Sequence, residues 1–275
     1  MPAEPSFPPS PSSPSSPSGP LIAFGGVSKA FDTPDGRLLA VRDVDLDVER
    51  GEIVTLVGPS GCGKSTLLNM TAGLFRPTAG SVRYTGAEVT GLNRRTGYMT
   101  QNDHLLPWRS VAANIAVPLE IGGHSRAAIR ARTDELVSLV GLSGFVKSFP
   151  SQLSGGMRKR AALARLLAYD PETLLLDEPF AALDAQLRLN MQVELHAISR
   201  RLGKTVLFVT HDLDEAVALG DRIAVFTARP GTITRVIRSP LSRDRDLTRL
   251  RRDRAYLDLT AELWDTIAPS ALGVG

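Results

Sequence analysis

A single cysteine, Cys62, occurs among 275 residues, aromatic residues make up 5%, and only 5 Lys stand beside 27 Arg. One thiol excludes a disulfide framework within the chain and any cysteine-rich zinc site. No stretch approaches the ~18 uninterrupted apolar residues of a membrane span, so a membrane role has to be borrowed from a partner. The start of the chain has no basic region followed by an apolar run, so a secretory signal is not expected and a cytoplasmic location is. A formal charge of +3 is too small to argue for nucleic acid as a ligand. Proline is thin outside the N-terminus: eight of 19 fall in residues 1–20, interleaved with seven Ser. Such a segment has nothing to bury and reads as a disordered tail. Between a polyproline-type ligand segment and an unselected disordered start, the second is favoured. Residues 21–275 are ample for a sizeable core.

From Leu21 onward apolar runs alternate with turns. Residues 21–24, 39–48 and 53–57 read as strands, the last short, continuous and β-branched, as suits a strand covered on both faces. Asp35-Gly36 and Arg50-Gly51 read as turns. Leu67, Leu68, Met70, Thr71 and Leu74 continue as a helix that Gly73 and Pro77 close. Residues 80–91 are hairpin-like and 97–101 are a candidate strand. Residues 102–151 read as helical, 127–140 being the clearest amphipathic run. After Leu153-Ser154-Gly155-Gly156 a helix carries Ala161, Leu163, Ala164, Leu167 and Ala168 up to Asp170-Pro171. Buried-strand runs recur at 173–176 and 206–210, with a helix around 186–202 between them. A strand pair, 223–227 and 233–237, leads to a tail rich in Arg and Asp. In that tail Tyr256, Leu259, Leu263 and Ile267 share one face at helical spacing, with Trp264 beside them. A terminal helix packed on its own domain is favoured there over a membrane-binding or partner-binding helix. Alternating strands and helices, with no internal repeat, predict an α/β chain on a largely parallel, covered sheet.

Three features carry chemistry. Gly58-Pro59-Ser60-Gly61-Cys62-Gly63-Lys64-Ser65-Thr66 lies between a buried strand and a helix. Glycines let such a loop wrap phosphate oxygens, its amides and the helix N-terminus point positive charge at them, Lys64 reaches the β- and γ-phosphates, and Ser65 can ligate Mg²⁺. Cys62 reads either as a reactive thiol at a helix N-terminus or as a small side chain whose amide does the binding, the second being favoured. Next, Leu174-Leu175-Leu176-Asp177-Glu178 is an apolar strand ending in two acids. It sets Asp177 near the Mg²⁺ shell and Glu178 at the water that attacks the γ-phosphate. Third, Ser154-Gly155-Gly156 opens a helix 23 residues before Asp177 and offers a hydroxyl and free amides as a second anion site. One nucleotide does not need two such cradles in one chain.

With these motifs in this order the sequence resembles the ATP-binding subunits of ABC transporters over about residues 21–240. The resemblance implies a P-loop cassette with a RecA-like parallel-sheet core, an antiparallel β subdomain, a helical subdomain at about 102–165 and a C-terminal helical extension at 241–275. It implies that Ser154, Gly155 and Gly156 close in trans on the nucleotide held by a second copy. Phe31, in Val27-Ser28-Lys29-Ala30-Phe31, matches the aromatic that stacks on adenine. Gln101 matches the glutamine that touches Mg²⁺ and the attacking water. Ala182-Leu183-Asp184 looks like the loop crossing the dimer interface, and His211 like the switch histidine on the γ-phosphate. Met157 stands where glutamine is usual. With Gln101-Asn102-Asp103-His104-Leu105-Leu106-Pro107-Trp108-Arg109, Phe180-Ala181-Ala182-Leu183-Asp184, Asp214-Glu215-Ala216-Val217 and Ala228-Arg229-Pro230-Gly231, it resembles the branch importing nitrate, taurine, aliphatic sulfonates and thiamine-precursor pyrimidines.

The expectation is therefore an ATPase using ATP and Mg²⁺. It works as a homodimer on the cytoplasmic face of the cell membrane, with two transmembrane permease subunits, a solute-binding protein and no nucleic acid. An importer of a pyrimidine or similar heterocycle is one alternative, and a soluble ABC ATPase acting on nucleic acid another. A non-hydrolytic scaffold ranks last, because Glu178 and His211 are both present. The resemblance implies that a separate binding protein and the membrane subunits choose the solute, so no residue of this chain is expected to contact it.

Overall fold

The computed structural model describes residues 19–34, 36–181 and 183–271. The expected Pro/Ser tail therefore lies outside the described residues up to Ser18, as do Asp35 and Ala182. The chain runs through β1 (Ile22–Thr33), β2 (Gly36–Val48), β3 (Ile53–Val57), α1 (Lys64–Thr71), β4 (Ala79–Tyr84), β5 (Ala87–Glu88) and β6 (Thr96–Met99). There follow α2 (Val111–Ile121), α3 (Arg126–Leu139), α4 (Gly155–Ala168), β7 (Thr173–Asp177), α5 (Ala185–Arg201) and β8 (Thr205–Thr210). Last come α6 (Leu213–Leu219), β9 (Arg222–Phe226), β10 (Ile233–Arg238) and α7 (Arg254–Ala271).

Six strands form one sheet in the order β10-β9-β3-β8-β7-β6, parallel from β9 to β6, with β10 antiparallel at its edge. Every residue of β3 and β8 is buried, the condition that makes a continuous apolar run rather than an alternating one. Alternate residues then feed two cores. Val54, Leu56, Leu207 and Val209 pack with Leu67 and Leu68 of α1 and with Val27, Val44 and Val82 of a second sheet. Ile53, Val57, Leu174, Leu176 and Phe208 join a core that also holds Ile115, Leu136, Leu163, Leu195, Leu219 and Leu263 from the helices. The second sheet is antiparallel, in the order β2-β1-β4-β5. Ser110, Ser125, Ser154, Asp184 and Asp212 cap α2 to α6 in turn, each accepting from the backbone N–H three residues on.

Several elements differ from the sequence reading. β1 does not stop at Phe24: it runs to Thr33, because a register shift between Phe24 and Val27 lets pairing with β2 continue. Residues 102–151 are not continuously helical. Residues 102–110 are held as a loop by buried Asn114, whose side chain accepts from Leu106 N–H and donates to the carbonyls of Leu106, Arg109 and Ser110. Helix is confined there to α2 and α3, with short 3₁₀ turns at Ser143–Phe145 and Pro150–Gln152. The strand expected over 97–101 ends at Met99, so Gln101 lies in a bend beyond it. The C-terminal stretch becomes a long helix only at Arg254. Before it, Arg245 donates to the carbonyls of Ala218 and Gly220, both at 2.8 Å, and keeps the chain in turns. Tyr256, Leu259 and Leu263 are buried in the helix-side core, so α7 packs on its own chain as expected.

Candidate functional site

β3 delivers the chain into the 58–63 loop, and α1 begins at Lys64. Gly63 caps α1 at φ +98, and a Cβ there would lie 2.4 Å from Val41 Cγ1 and 2.8 Å from the Ala40 carbonyl. Only glycine fits both the angle and the space. Lys64 is buried, and its Nζ donates to the carbonyls of Gly58 (2.7 Å) and Pro59 (2.8 Å), with Cys62 Sγ at 3.6 Å. The loop's own backbone carbonyls thus hold the ammonium inside the loop. Thr66 N–H donates to the Gly63 carbonyl (3.0 Å). Ser60 and Gly61 are exposed at the rim, and Arg229 donates through Nε and Nη2 to the Gly61 carbonyl at 3.0 and 2.9 Å. Arg229 had figured in the sequence reading only as part of a branch motif; its bracing role comes from a segment 168 residues away.

The carboxyl ends of β3, β7 and β8 are neighbours in the sheet, and there the acids arrive. Ser65 Oγ donates to Asp177 Oδ1 at 2.8 Å, and Tyr98 OH from β6 reaches Asp177 Oδ2 at 3.4 Å. Burial pushes the Asp177 carboxyl up; the Ser65 hydroxyl opposes this, while the Glu178 charge adds to it. Burial, then the Asp177 charge, also raises the Tyr98 phenol. Mg²⁺ takes hard oxygen ligands and keeps several waters, so it needs one or two protein oxygens rather than a closed cage. Ser65 Oγ with Asp177 fits that requirement, and among the described residues no group of three or more His, Cys, Asp or Glu forms a cage. Glu178 has φ +45, donates its N–H to the Val209 carbonyl (3.0 Å), and sets Oε2 3.1 Å from His211 Nδ1. The strained backbone turns its carboxylate out of the strand direction toward His211.

The remaining sequence-derived residues lie on other elements. Ser154 caps α4, and its hydroxyl accepts from Met157 N–H. Gly155 is exposed and Gly156 buried, a Cβ on Gly156 falling 2.0 Å from Leu187 Cδ2. The side chain of Gln101 is exposed, and its carbonyl accepts from Lys159 Nζ of α4. Asp184 Oδ1 accepts from Leu187 N–H at 2.9 Å and so caps α5. Phe31 meets Phe75 edge-on at 5.6 Å, with Lys29 Nζ 5.1 Å from the Phe31 ring centre. The structure therefore gathers Lys64, Ser65, Asp177, Glu178 and His211, and leaves Ser154, Gly155 and Gly156 on the helix-side part of the chain. Tyr98, Phe75 and Arg188 were not singled out by the sequence reading.

A glycine-rich phosphate cradle beside an acid-tipped parallel strand, with an antiparallel sheet on one side and helices on the other, defines an ATP-binding cassette ATPase. The chain belongs to the ABC transporter family, whose model matches residues 41–181. Curated relatives span most of it. One is an uncharacterized ABC transporter ATP-binding protein, MJ0412, of Methanocaldococcus jannaschii, 46% identical over 81% of this chain and 83% of its own. The taurine import ATP-binding protein TauB of a Jannaschia species is 39% identical over 89% and 94%. The aliphatic sulfonates import ATP-binding protein SsuB 1 of Xanthomonas axonopodis is 48% identical over 77% and 84%. Among solved structures, the ATP-binding cassette MJ0796, dimeric in a post-hydrolysis state with ADP and Pi, is similar at a TM-score of 0.72. It is 32% identical over 79% of this chain and 98% of its own. Among the described residues no helix is long and apolar enough to cross a membrane.

Proposed function

We propose that the chain is the ATP-hydrolysing subunit of a membrane importer for a small solute of the taurine or aliphatic sulfonate type. The observation that carries the catalytic part is the meeting of Lys64, Ser65, Asp177, Glu178 and His211 at the carboxyl end of the parallel sheet. The solute class rests on the similarity to TauB and SsuB proteins.

ATP lies along the 58–66 loop, its phosphates on the amides and on Lys64, its adenine against Phe31. Ser65 and Asp177, with Gln101 by the resemblance, would hold Mg²⁺, which would supply charge neutralisation at the phosphates. Glu178 orients a water and takes its proton as the water oxygen attacks the γ-phosphorus. The bond to the β-phosphate oxygen breaks, leaving ADP and inorganic phosphate, while His211 and Lys64 offset the charge on the phosphoryl oxygens. A second copy supplies Ser154, Gly155 and Gly156 to the same nucleotide, and the Asp184 loop crosses between the copies. The dimer sits peripherally on the cytoplasmic face against two permease subunits, with a solute-binding protein delivering cargo.

Substituting Glu178→Gln keeps the carboxylate's shape and removes its basicity. ATP affinity is expected to stay within a fewfold of the parent while turnover drops by roughly 10²–10⁴. Steady-state ATPase assays check this, and parent-level turnover in the variant overturns the catalytic assignment.

A further inference from the structure

Arg188, in the first turn of α5, joins parts of the site that are otherwise on separate elements. Its Nη2 donates to the Leu183 carbonyl (3.1 Å), just before Asp184. Nη1 donates to Asp212 Oδ2 (3.0 Å), the residue after His211. Nε lies 3.7 Å from Glu215 Oε1. Glu215 is buried at 4% side-chain exposure, and its other oxygen accepts from Thr210 Oγ1 at 2.6 Å. Thr210 precedes His211, and its hydroxyl also accepts from Asp212 N–H at 3.0 Å. Both flanks of His211 are thus tied to one guanidinium. One residue before Arg188, Leu187 packs against Gly156, leaving no room for a Cβ there.

We propose that Arg188 is a positioning residue for ATP hydrolysis: through Asp212 and Glu215 it sets the turn that carries His211 beside Glu178. It does so in register with the Leu183-Asp184 loop and, through Leu187, with Gly156. The inference rests on the reading of Glu178 and His211 as hydrolytic groups. The residue type matters, because a planar fork bonds the Leu183 carbonyl and Asp212 through two nitrogens while its charge faces Glu215, whereas a lysine ammonium at the end of a flexible stem cannot span the three. Movement at the 183–184 loop or under Gly156 then reaches His211 without passing through the nucleotide.

Glu215 makes the link sensitive to pH. Burial, opposed by the Thr210 hydroxyl and the Arg188 charge, pushes its carboxyl up to about 7. Facing it are Arg188 from α5, Thr210 and His211 from the end of β8, and Asp212 at its own cap. From β3 α6 receives the neutral Thr55 hydroxyl, bonded to the Ala216 carbonyl, and from α7 Tyr256, bonded to Asp214, with Arg251 nearby. Above neutrality the ionised Glu215 pulls on Arg188; below it that pull is lost.

The test is kcat and KM for ATP from pH 6 to 8.5 in the full chain, for the parent, Arg188→Lys and Glu215→Gln. Arg188→Lys is expected to lose at least about tenfold in kcat with KM within about twofold, because the phosphate loop is untouched. The parent's kcat is expected to rise with pH through about 7, and Glu215→Gln to lack that limb and stay near the parent's low-pH value. A double variant, Arg188→Met with Glu215→Gln, leaves Glu215's site uncharged; it should fold, as read by thermal unfolding, and show the same kcat loss. Parent-level kcat in Arg188→Lys or in the folded double variant, or an unchanged pH limb in Glu215→Gln, overturns the inference. If those variants match the parent while Glu178→Gln is inactive, the positioning role alone fails. If Glu178→Gln also turns over, the underlying catalytic reading fails with it.

Discussion

Lys64 is held by the carbonyls of Gly58 and Pro59, so the strongest positive charge of the cradle is directed by the loop that surrounds it. Removing it in Lys64→Ala takes away a charge-assisted contact to phosphate worth about 1.5–3 kcal/mol, and ATP affinity measured by titration should fall roughly tenfold to a hundredfold. Gly63→Ala is expected to lose about 1–3 kcal/mol in urea unfolding, because φ is +98 and its Cβ would collide with Val41 and Ala40. Glu215 has the opposite sign from a paired surface acid. Its folded-state value of about 7 lies above the ordinary 4.5, so the folded chain holds a proton that the unfolded chain releases between those values. Stability therefore falls as pH rises from about 4.5 to 7, by an amount on the order of 3 kcal/mol from this group. Unfolding at pH 5 and pH 8 should differ less in Glu215→Gln than in the parent.

Elements differ in how far local sequence could specify them. β3, β7 and β8 were legible because both faces are covered and every position before the Asp177 tip of β7 had to be apolar or neutral. The phosphate loop was legible because its chemistry is contiguous. Residues 102–110 contain apolar residues at helical spacing, yet the decisive contacts come from Asn114 and from Arg165, which donates to the carbonyls of Asp103 and His104. β1 outran its expected end because strand pairing, not local pattern, sustained it. α6 has seven residues, too few for a periodic signal, and it carries the two acids that matter to Arg188 and Tyr256. Arg188 and Tyr98 escaped the sequence reading for the same reason: their partners are brought to them by the fold. α7 behaved as its apolar face suggested. Leu263 is fully buried and Leu263→Ala should cost about 2–5 kcal/mol, whereas Trp264, 60% exposed, should cost less than about 1 kcal/mol as alanine. Chemical denaturation of the two variants separates them.

Across the whole molecule, the phosphate loop at the carboxyl end of the parallel sheet and the Ser154 start of α4, proposed to act on a second copy's nucleotide, belong to one chain but to different parts of it. Leu187 and Arg188 connect those parts mechanically, since one packs on Gly156 and the other grips the His211 turn. Among the described residues no helix is long and apolar enough to cross a membrane, so the proposed import role needs permease partners. The work proposed for it is to close on ATP with a copy of itself and to open after hydrolysis. Light scattering on Glu178→Gln with and without ATP tests that claim most directly. ATP should convert the protein from monomer to dimer, and adding Gly156→Asp should abolish the dimer while bound ATP is retained. A protein that stays monomeric with ATP bound, or that dimerises equally well with Gly156→Asp, would contradict a site shared between two copies.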